Sequence, residues 1–317
     1  MTAMTDGSSL ALPGIVAGVD GSPGSAEALR WAWHTAAIHR RSVTALVAWT
    51  ADGQPRIVHR QAHVADRDGL TAAAAAVLDA AIDRLPACDP APGILRRVVH
   101  EPALLALLAA SKQALMLVVG SREHGLAHRS LDGTVGRAVV DHGEVPAVVV
   151  RGRGFGVPGD RRPVAVGVDG SPSSLAALRW AAREATYRDV PLRVVHALAV
   201  ASTPYPEFLA SVGRTLVDHA NDVLDDALAT GLRDAPPQLC VSSEVVVDSA
   251  ARALLLESTT SQLLVVGARG HGGFAELLLG SVGDQCVRHA VCPVAVIRPP
   301  CNPYDSPHNP YYSPPYI

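Results

Sequence analysis

Glycines in the second half of the chain have a spacing that suits anion binding. Gly267 and Gly270 follow an apolar run, and nine residues separate Gly270 from Gly280 and Ser281. The first two glycines let the backbone turn sharply off a strand. Gly280-Ser281 precedes a segment with helical character, and the first amides of a helix favour an anion because they lack partners within it. The spacing predicts a phosphate site, with Ser281 as the N-cap of the helix.

A carboxylate and an apolar strand end complete what a nucleotide needs. Asp169 ends the apolar run "VAVGVD", and its carboxylate suits ribose hydroxyls or a metal-bound water. A plain alternative is that the glycine-rich loop is only a turn and "DGS" only a helix cap. A lone GxxG would deserve that interpretation. The same features recur elsewhere in the chain, which favours nucleotide binding.

The sequence contains an internal repeat, because its two halves share the same motifs in the same order. "GIVAGVDGSPGSAEALRWA" (14–32) resembles "PVAVGVDGSPSSLAALRWA" (163–181) at an offset of 149 residues, and "LMLVVGSREHGLAHRSLDGTVG" (115–136) resembles "QLLVVGARGHGGFAELLLGSVG" (262–283) at 147. Small loop differences account for the change of offset. The sequence predicts an N-terminal extension (1–13), a first domain (14–151), a linker (152–162), a second domain (163–298) and a Pro- and Tyr-rich tail (299–317).

The first copy departs from the glycine spacing. Gly120-Ser121-Arg122 is followed by Glu123 where the second glycine belongs, and Gly133-Thr134 stands at the right distance. A carboxylate beside phosphates repels them, and a Cβ blocks close approach of the backbone. Two alternatives that would reduce the effect of Glu123 on binding stay open: Gly125 supplies the turn, or Glu123 points to solvent. Because Asp20 is intact, we expect the first copy to bind more weakly rather than to be empty.

Each copy alternates apolar strands with helices. This order predicts a doubly wound parallel α/β sheet, whose ligands lie at the carboxyl ends of the strands. The predicted strands are 15–20, 43–49, 94–99, 115–119 and 146–151 in the first copy, and 164–169, 192–197, 240–247, 263–266 and 293–298 in the second.

Composition excludes several classes of protein. The length of 317 residues and a hydrophobic content of 48% suit two domains, and the net charge of −3 without a basic run gives no support for nucleic-acid binding. No apolar run reaches the roughly 18 to 20 residues of a membrane span, and no secretory signal is visible. The five cysteines show no CxxC spacing. A metal site from Cys286, His289 and Cys292 is disfavoured against a buried thiol. We therefore expect a soluble cytoplasmic protein without a metal site of its own.

Enzyme motifs are missing from both loops. Lys112 is the single lysine and lies in neither a P-loop nor a kinase motif. Arg269 and Arg122 are placed to reach phosphate oxygens. His271 and His124 stand at the same loop position and are open to two readings, a general base or, more commonly, a solvated loop histidine.

These residues resemble the universal stress protein family, whose ATP-binding members carry G-x2-G-x9-G-[S/T] after the fourth strand and Asp after the first. Residues 267–281 match that pattern, and the duplication resembles the tandem form of actinobacteria. The resemblance implies the strand order 3-2-1-4-5, last strands that pair the copies, and a base near Ala197, or Trp49 in copy one. The contacts assigned in copy two are Gly167, Asp169, Ala197, Gly267, Ala268, Arg269, Gly270, His271, Gly272, Gly273, Gly280, Ser281 and Val282. Those in copy one are Gly18, Asp20, Gly120, Ser121, Arg122, Glu123, His124, Gly125, Gly133 and Thr134.

Three functions remain in competition. The favoured one is an ATP-binding stress-response or dormancy regulator with little turnover, with Mg²⁺ as an optional companion of the nucleotide and cyclic AMP as an alternative ligand. The second is a slow Mg²⁺-dependent ATPase that uses Arg269. The third is a scaffold with vestigial sites. The expected partners are an adenine nucleotide and the other copy in an internal pseudo-dimer, with a homodimer left open and any regulatory protein partner unknown.

Overall fold

The computed structural model describes residues 14–50, 55–62, 66–121, 135–199, 206–270 and 278–299. The part from β1 to β5 is here called domain one. Its strands are β1 (Gly14–Gly18), β2 (Val43–Ala48), β3 (Ile94–Val99), β4 (Ala114–Gly120) and β5 (Ala147–Val150), and its helices are α1 (Pro23–His39), α2 (Arg56–Gln61), α3 (Arg67–Ile82), α4 (Ala103–Ser111) and α5 (Val135–His142).

Domain two, from β6 to β10, repeats this order. Its strands are β6 (Val164–Gly167), β7 (Leu192–Ala197), β8 (Val241–Val246), β9 (Leu263–Gly267) and β10 (Val294–Ile297), and its helices are α6 (Pro172–Arg188), α7 (Pro206–Gly231), α8 (Ala250–Glu257) and α9 (Ser281–His289). The single helix α7 stands where domain one has α2 and α3. Helix α2 was not predicted, because six residues after Pro55 give too short a periodic pattern.

All ten strands form one sheet with the order β3-β2-β1-β4-β5-β10-β9-β6-β7-β8. Within each domain the neighbouring strands are parallel, and the predicted order 3-2-1-4-5 is confirmed. The domains join through β5 and β10, which run antiparallel with Val149 opposite Val294. The pairing of the last strands is therefore as the resemblance implied.

The strands differ in burial according to their place in the sheet. The inner strands, such as β9 with the sequence LLVVG, are buried between two layers of helices. The expectation that every strand is apolar is wrong for β3 (ILRRVV) and β8 (VSSEVV), all of whose residues are exposed or half-buried. Both lie at a sheet edge, where solvent reaches their side chains and polar residues are tolerated.

The "DGSP" stretches connect the first strand of each domain to its first helix. Gly21 and Gly170 have φ of 76° and 81°, in the left-handed region that glycine tolerates best. Ser22 and Ser171 then cap α1 and α6 by accepting hydrogen bonds from the amides of Ser25 and Ser174. A proline follows each cap at the start of the helix, where its missing N–H is not needed.

A buried polar cluster joins α1 to α6 across the domain boundary. Glu184 accepts from Nε of Arg188 at 2.7 Å and contacts Nε2 of His39 at 3.0 Å. Arg188 also donates to the hydroxyl of Thr35 at 2.9 Å and lies over the ring of Trp31. Burial opposes the charged form of Glu184, but His39 and Arg188 outweigh it and lower its pKa to about 2.

The segment predicted as a linker packs against domain two. The side-chain amide of Gln262 donates to the carbonyl of Asp160 at 3.2 Å and to that of Arg162 at 2.7 Å. The guanidinium of Arg162 lies 4.4 Å from the ring centre of Phe155. These contacts hold the connection between the domains against the sheet.

Candidate functional site

A cavity of about 460 Å³ opens at the carboxyl ends of β6, β7 and β9 in domain two. In a doubly wound sheet this is where the winding direction reverses and ligands bind. The residues that line it, here called cavity two, come from the strand ends, the loops after β6 and β9, and the starts of α8 and α9. They are Gly167, Val168, Asp169, Ser174, Val195, Ala197, Ala250, Leu254, Val266, Gly267, Arg269, Gly270, Gly280, Ser281, Val282 and Gly283.

Three glycines at this strand end and loop differ in what a Cβ would contact. A Cβ on Gly267 would lie 2.8 Å from the backbone of Ser173, so this glycine lets the strand end pack against α6. A Cβ on Gly270 would lie 2.5 Å from Oδ2 of Asp169. Gly280 is different, because a Cβ there would meet nothing nearer than 3.6 Å and its φ of −69° suits any residue. Packing among the described residues therefore does not require glycine at position 280.

Helix α9 presents uncapped amides to cavity two. Gly280 is its N-cap, with no side-chain hydrogen bond, and Ser281 is the first helical residue. The prediction that Ser281 is the N-cap is therefore wrong by one position. The cap carbonyl of Gly280 accepts the amide of Asp284 at 2.9 Å, which leaves the amides of Ser281, Val282 and Gly283 without an intrahelical partner.

Asp169 lines the same cavity as the start of α9. Its Oδ1 accepts the amide of Ser171 at 3.0 Å, which fixes the carboxyl group at the start of the turn into α6. The hydroxyl of Ser171 donates to the carbonyl of Arg269 at 3.3 Å and so ties this turn to the glycine-rich loop. Arg269 itself is exposed and lines the cavity.

The remaining wall is apolar and was largely missed from the sequence. Val168, Val195, Leu254 and Val266 join Ala197 there. Alternation along β7 could have identified Val195, since residues two apart in a strand face the same side. Ala268 was predicted as a contact, but its side chain is 1% exposed and it does not line the cavity. Its carbonyl accepts the amide of Gly280 at 2.8 Å and closes the loop.

Domain one has a matching but smaller cavity of about 160 Å³, here called cavity one. Its described lining resembles that of cavity two, with Ser22 and Pro55, the residue before α2, added. The lining residues are Gly18, Val19, Asp20, Ser22, Ser25, Leu46, Ala48, Pro55, Ala103, Leu107, Val119, Gly120, Val135 and Gly136. Oδ1 of Asp20 accepts both the amide and the hydroxyl of Ser22.

Several predicted residues do not line the cavities or lie outside the described residues. Ser121 is buried, and Trp49, suggested as a neighbour of the base, is 2% exposed and stacks on His100. Gly120 does line cavity one, and a Cβ on it would lie 2.3 Å from the backbone of Gly24, so tight packing against α1 demands this glycine. Outside the described residues lie Arg122, Glu123, His124, Gly125, Gly133, Thr134, His271, Gly272 and Gly273.

The cysteines suit packing rather than ligation. Cys286 and Cys292 are fully buried, and burial raises the pKa of both thiols to about 12. A thiol with so high a pKa remains protonated near neutral pH and is a poor metal ligand. Across the described ranges, no group of three or more His, Cys, Asp or Glu side chains is arranged to hold a metal ion. Among the same residues, no helix combines the length and the apolar character needed to cross a membrane.

The comparisons with known proteins agree with this geometry. The model of the universal stress protein family matches residues 14–151 and again residues 160–298. Universal stress protein Rv2623 of Mycobacterium tuberculosis strain H37Rv is 32% identical over 296 residues, covering 90% of this chain and 96% of the relative. A universal stress protein of Mycolicibacterium smegmatis is 32% identical over 297 residues, covering 90% and 97%. A solved universal stress protein from Archaeoglobus fulgidus covers 90% of this chain and 98% of its own length, with a TM-score of 0.57 at 17% identity, and so shares the fold. The chain belongs to the universal stress protein family and carries two of its domains in tandem.

Proposed function

We propose that the chain binds ATP in cavity two and acts as a nucleotide-dependent stress-response or dormancy regulator. One observation carries the proposal: the uncapped start of α9 faces the same cavity as the carboxyl group of Asp169. Amides at a helix N-terminus favour phosphate oxygens, and a carboxylate accepts hydrogen bonds from ribose hydroxyls. The volume of about 460 Å³ lies within the usual range for small-molecule sites.

The glycine at position 280 supports the phosphate assignment independently. Among the described residues the fold leaves room for a Cβ there, because the nearest atom would lie 3.6 Å away. A phosphate group seated on the amides of α9 would fill that room, and a Cβ would then obstruct it. The apolar wall formed by Val195, Ala197 and Leu254 provides a surface for the base.

Little or no catalytic turnover is part of this proposal. Static amides hold ground-state phosphates, whereas rate acceleration requires contacts that strengthen in the transition state. Arg269 is the one cationic side chain among the described lining residues of cavity two. A slow Mg²⁺-dependent ATPase would have to depend on it.

Four free cysteines among the described residues agree with the proposed cytoplasmic location.

The test is to identify the nucleotide that copurifies with the protein and to measure turnover on the same sample. We expect ATP in the mass spectrum of the released ligand, at up to one equivalent, and no appreciable phosphate release. Cyclic AMP as the released ligand would replace ATP in the proposal. Absence of any nucleotide, together with no binding of added ATP, would support a scaffold with vestigial sites.

A further inference from the structure

Helix α9 carries an acidic residue where the proposed phosphates need positive potential. Asp284 lies in its first turn, next to Gly283 of the cavity wall. An acid at this position stabilises a helix through the dipole, but it also repels a polyphosphate on the same amides. The domain-two site therefore needs the charge of Asp284 to be neutralised.

Two guanidinium groups engage that carboxylate, and one of them comes from the other domain. Nε of Arg288, one turn further along α9, donates to Oδ2 of Asp284 at 2.9 Å. Nη1 of Arg137, in α5 of domain one, donates to Oδ1. The side chains of Arg137 and Asp284 are 27% and 26% exposed, so solvent screens this pair only in part.

Equivalent positions of α5 and α9 carry side chains of opposite charge at this domain boundary. With the offset of 147 residues that relates the loops, Arg137 of α5 corresponds to Asp284 of α9, and Asp141 corresponds to Arg288. Within α5, Nε of Arg137 donates to Oδ2 of Asp141 at 2.7 Å. The first turn of α5 contains no acid, whereas that of α9 does. Among the described residues, α9 carries such an acid in its first turn and α5 does not, and domain one supplies part of the compensation.

We propose that Arg137 of domain one is a positioning residue for the phosphate site of domain two. It sets the potential at the start of α9 by holding and neutralising Asp284, without contacting the ligand itself. The affinity of cavity two then depends on the pairing of the two domains. This inference rests on the proposed function, because it concerns how the same site accepts phosphates.

Other contacts also hold the two domains together. Arg137 can therefore be substituted without separating the domains. Nη2 of Arg298 donates to the carbonyls of Val140 and Asp141, at 2.8 and 2.6 Å. Nη2 of Arg151 donates to the carbonyl of Val287 at 3.1 Å. The strand pair β5–β10 and the cluster around Glu184 add to these contacts.

The experiment is a calorimetric titration of the full-length protein with ATP at about 50 mM salt. An Asp20→Ala background weakens cavity one so that the titration reports cavity two. We expect Arg137→Gln to weaken ATP binding about three- to tenfold, and less at about 0.5 M salt, because the effect is a partly screened charge interaction. Adding Asp284→Asn to Arg137→Gln should restore binding to within about twofold of the background. Arg30→Gln is the matched control, since Arg30 is also 27% exposed and pairs with Glu27 within α1.

The double variant separates a charge effect from a purely structural one. If Arg137 only held the domains together, Arg137→Gln/Asp284→Asn would bind as weakly as Arg137→Gln. That result, or unchanged binding by Arg137→Gln, would overturn the inference. Failure of the proposed function looks different, because the Asp20→Ala protein with Arg137 intact would then show no ATP binding.

Discussion

The two cavities have almost the same walls but different volumes. Asp20, Gly18 and Leu107 of cavity one correspond to Asp169, Gly167 and Leu254 of cavity two, yet the volumes are about 160 and 460 Å³. One described difference is Leu46 in place of Val195. Another is Pro55, which joins the wall of cavity one just before α2. Ile57 of α2 also packs onto the turn after β1, where a Cβ on Gly21 would lie 2.3 Å from its side chain. Duplication has preserved the strand ends and the helix start, while the stretch after the second strand has diverged.

The largest expected effect concerns a feature outside both cavities, the buried cluster between α1 and α6, none of whose residues lines either cavity. Glu184→Gln should lower the free energy of unfolding by about 3 kcal/mol at pH 7, because it leaves Arg188 and His39 without their buried partner. Glu27→Gln, in a partly exposed pair with Arg30, is the control and should cost far less. Denaturant unfolding at several pH values measures both.

The pH dependence of that effect has a definite sign. The pKa of Glu184 is about 2 in the folded protein against an ordinary value of 4.5, so its ionised form stabilises the fold above pH 4.5. The contribution is lost as the pH falls from 4.5 towards 2. The difference between the wild type and Glu184→Gln should shrink over that range. A difference that stayed constant down to pH 2 would contradict the assignment of a charged Glu184.

Among the binding variants, Gly280→Glu should distinguish the ATP affinities of the two cavities most sharply. It places a negative charge and a side chain where the phosphates are proposed to lie, so we expect at least a tenfold loss of affinity in cavity two, about 1.4 kcal/mol. Asp169→Glu should have a similar effect. Gly213→Glu is the matched control, because a Cβ on Gly213 of α7 meets nothing within 4 Å. Calorimetric titration with ATP measures all three, and a correctly folded Gly280→Glu protein with unchanged affinity would remove the phosphate assignment.

A titration of the wild type should resolve one tight and one weak site, with the weak site in cavity one. Asp20→Glu should then affect only the weak step, and Asp169→Glu the tight one. Glu123→Gly should strengthen the weak site about threefold or more, since it removes a like charge near the phosphates. Two equal sites in the wild type would mean that neither Glu123 nor the smaller volume matters for binding.

The smallest expected signal is turnover. With Mg²⁺ and ATP the protein should release phosphate at well under about one per minute, compared with typical enzyme rates of roughly 1 to 10³ per second. Arg269→Ala should leave this background unchanged. A steady rate near one per second that Arg269→Ala abolishes would make the protein an ATPase. The same comparison with Arg122→Ala would show which cavity carries the hydrolysis.

The sequence predicts the strands and their alternation with helices well, because apolar runs and helical periodicity are local signals. Third strands were predicted correctly in position but wrongly as apolar, since their place at the sheet edge depends on the global strand order. The N-cap of α9 was assigned to Ser281 instead of Gly280, a difference of one residue that capping patterns rarely resolve. Contacts such as Arg137 with Asp284 and His39 with Glu184 could not be predicted. They join residues about 145 positions apart, and no local pattern signals them.

The antiparallel junction of β5 and β10 also determines which strand edges remain open to other chains. The sequences of these two strands are AVVV and VAVI, and both are completely buried. Left unpaired, either would offer a row of apolar residues with free amides and carbonyls to any neighbouring chain. Their mutual pairing leaves β3 and β8 as the outer strands of the described sheet, and these carry Arg96 and Arg97 at one edge and Glu244 at the other. Charged side chains at an edge discourage further strand addition, so the tandem arrangement protects the sheet from growing by aggregation.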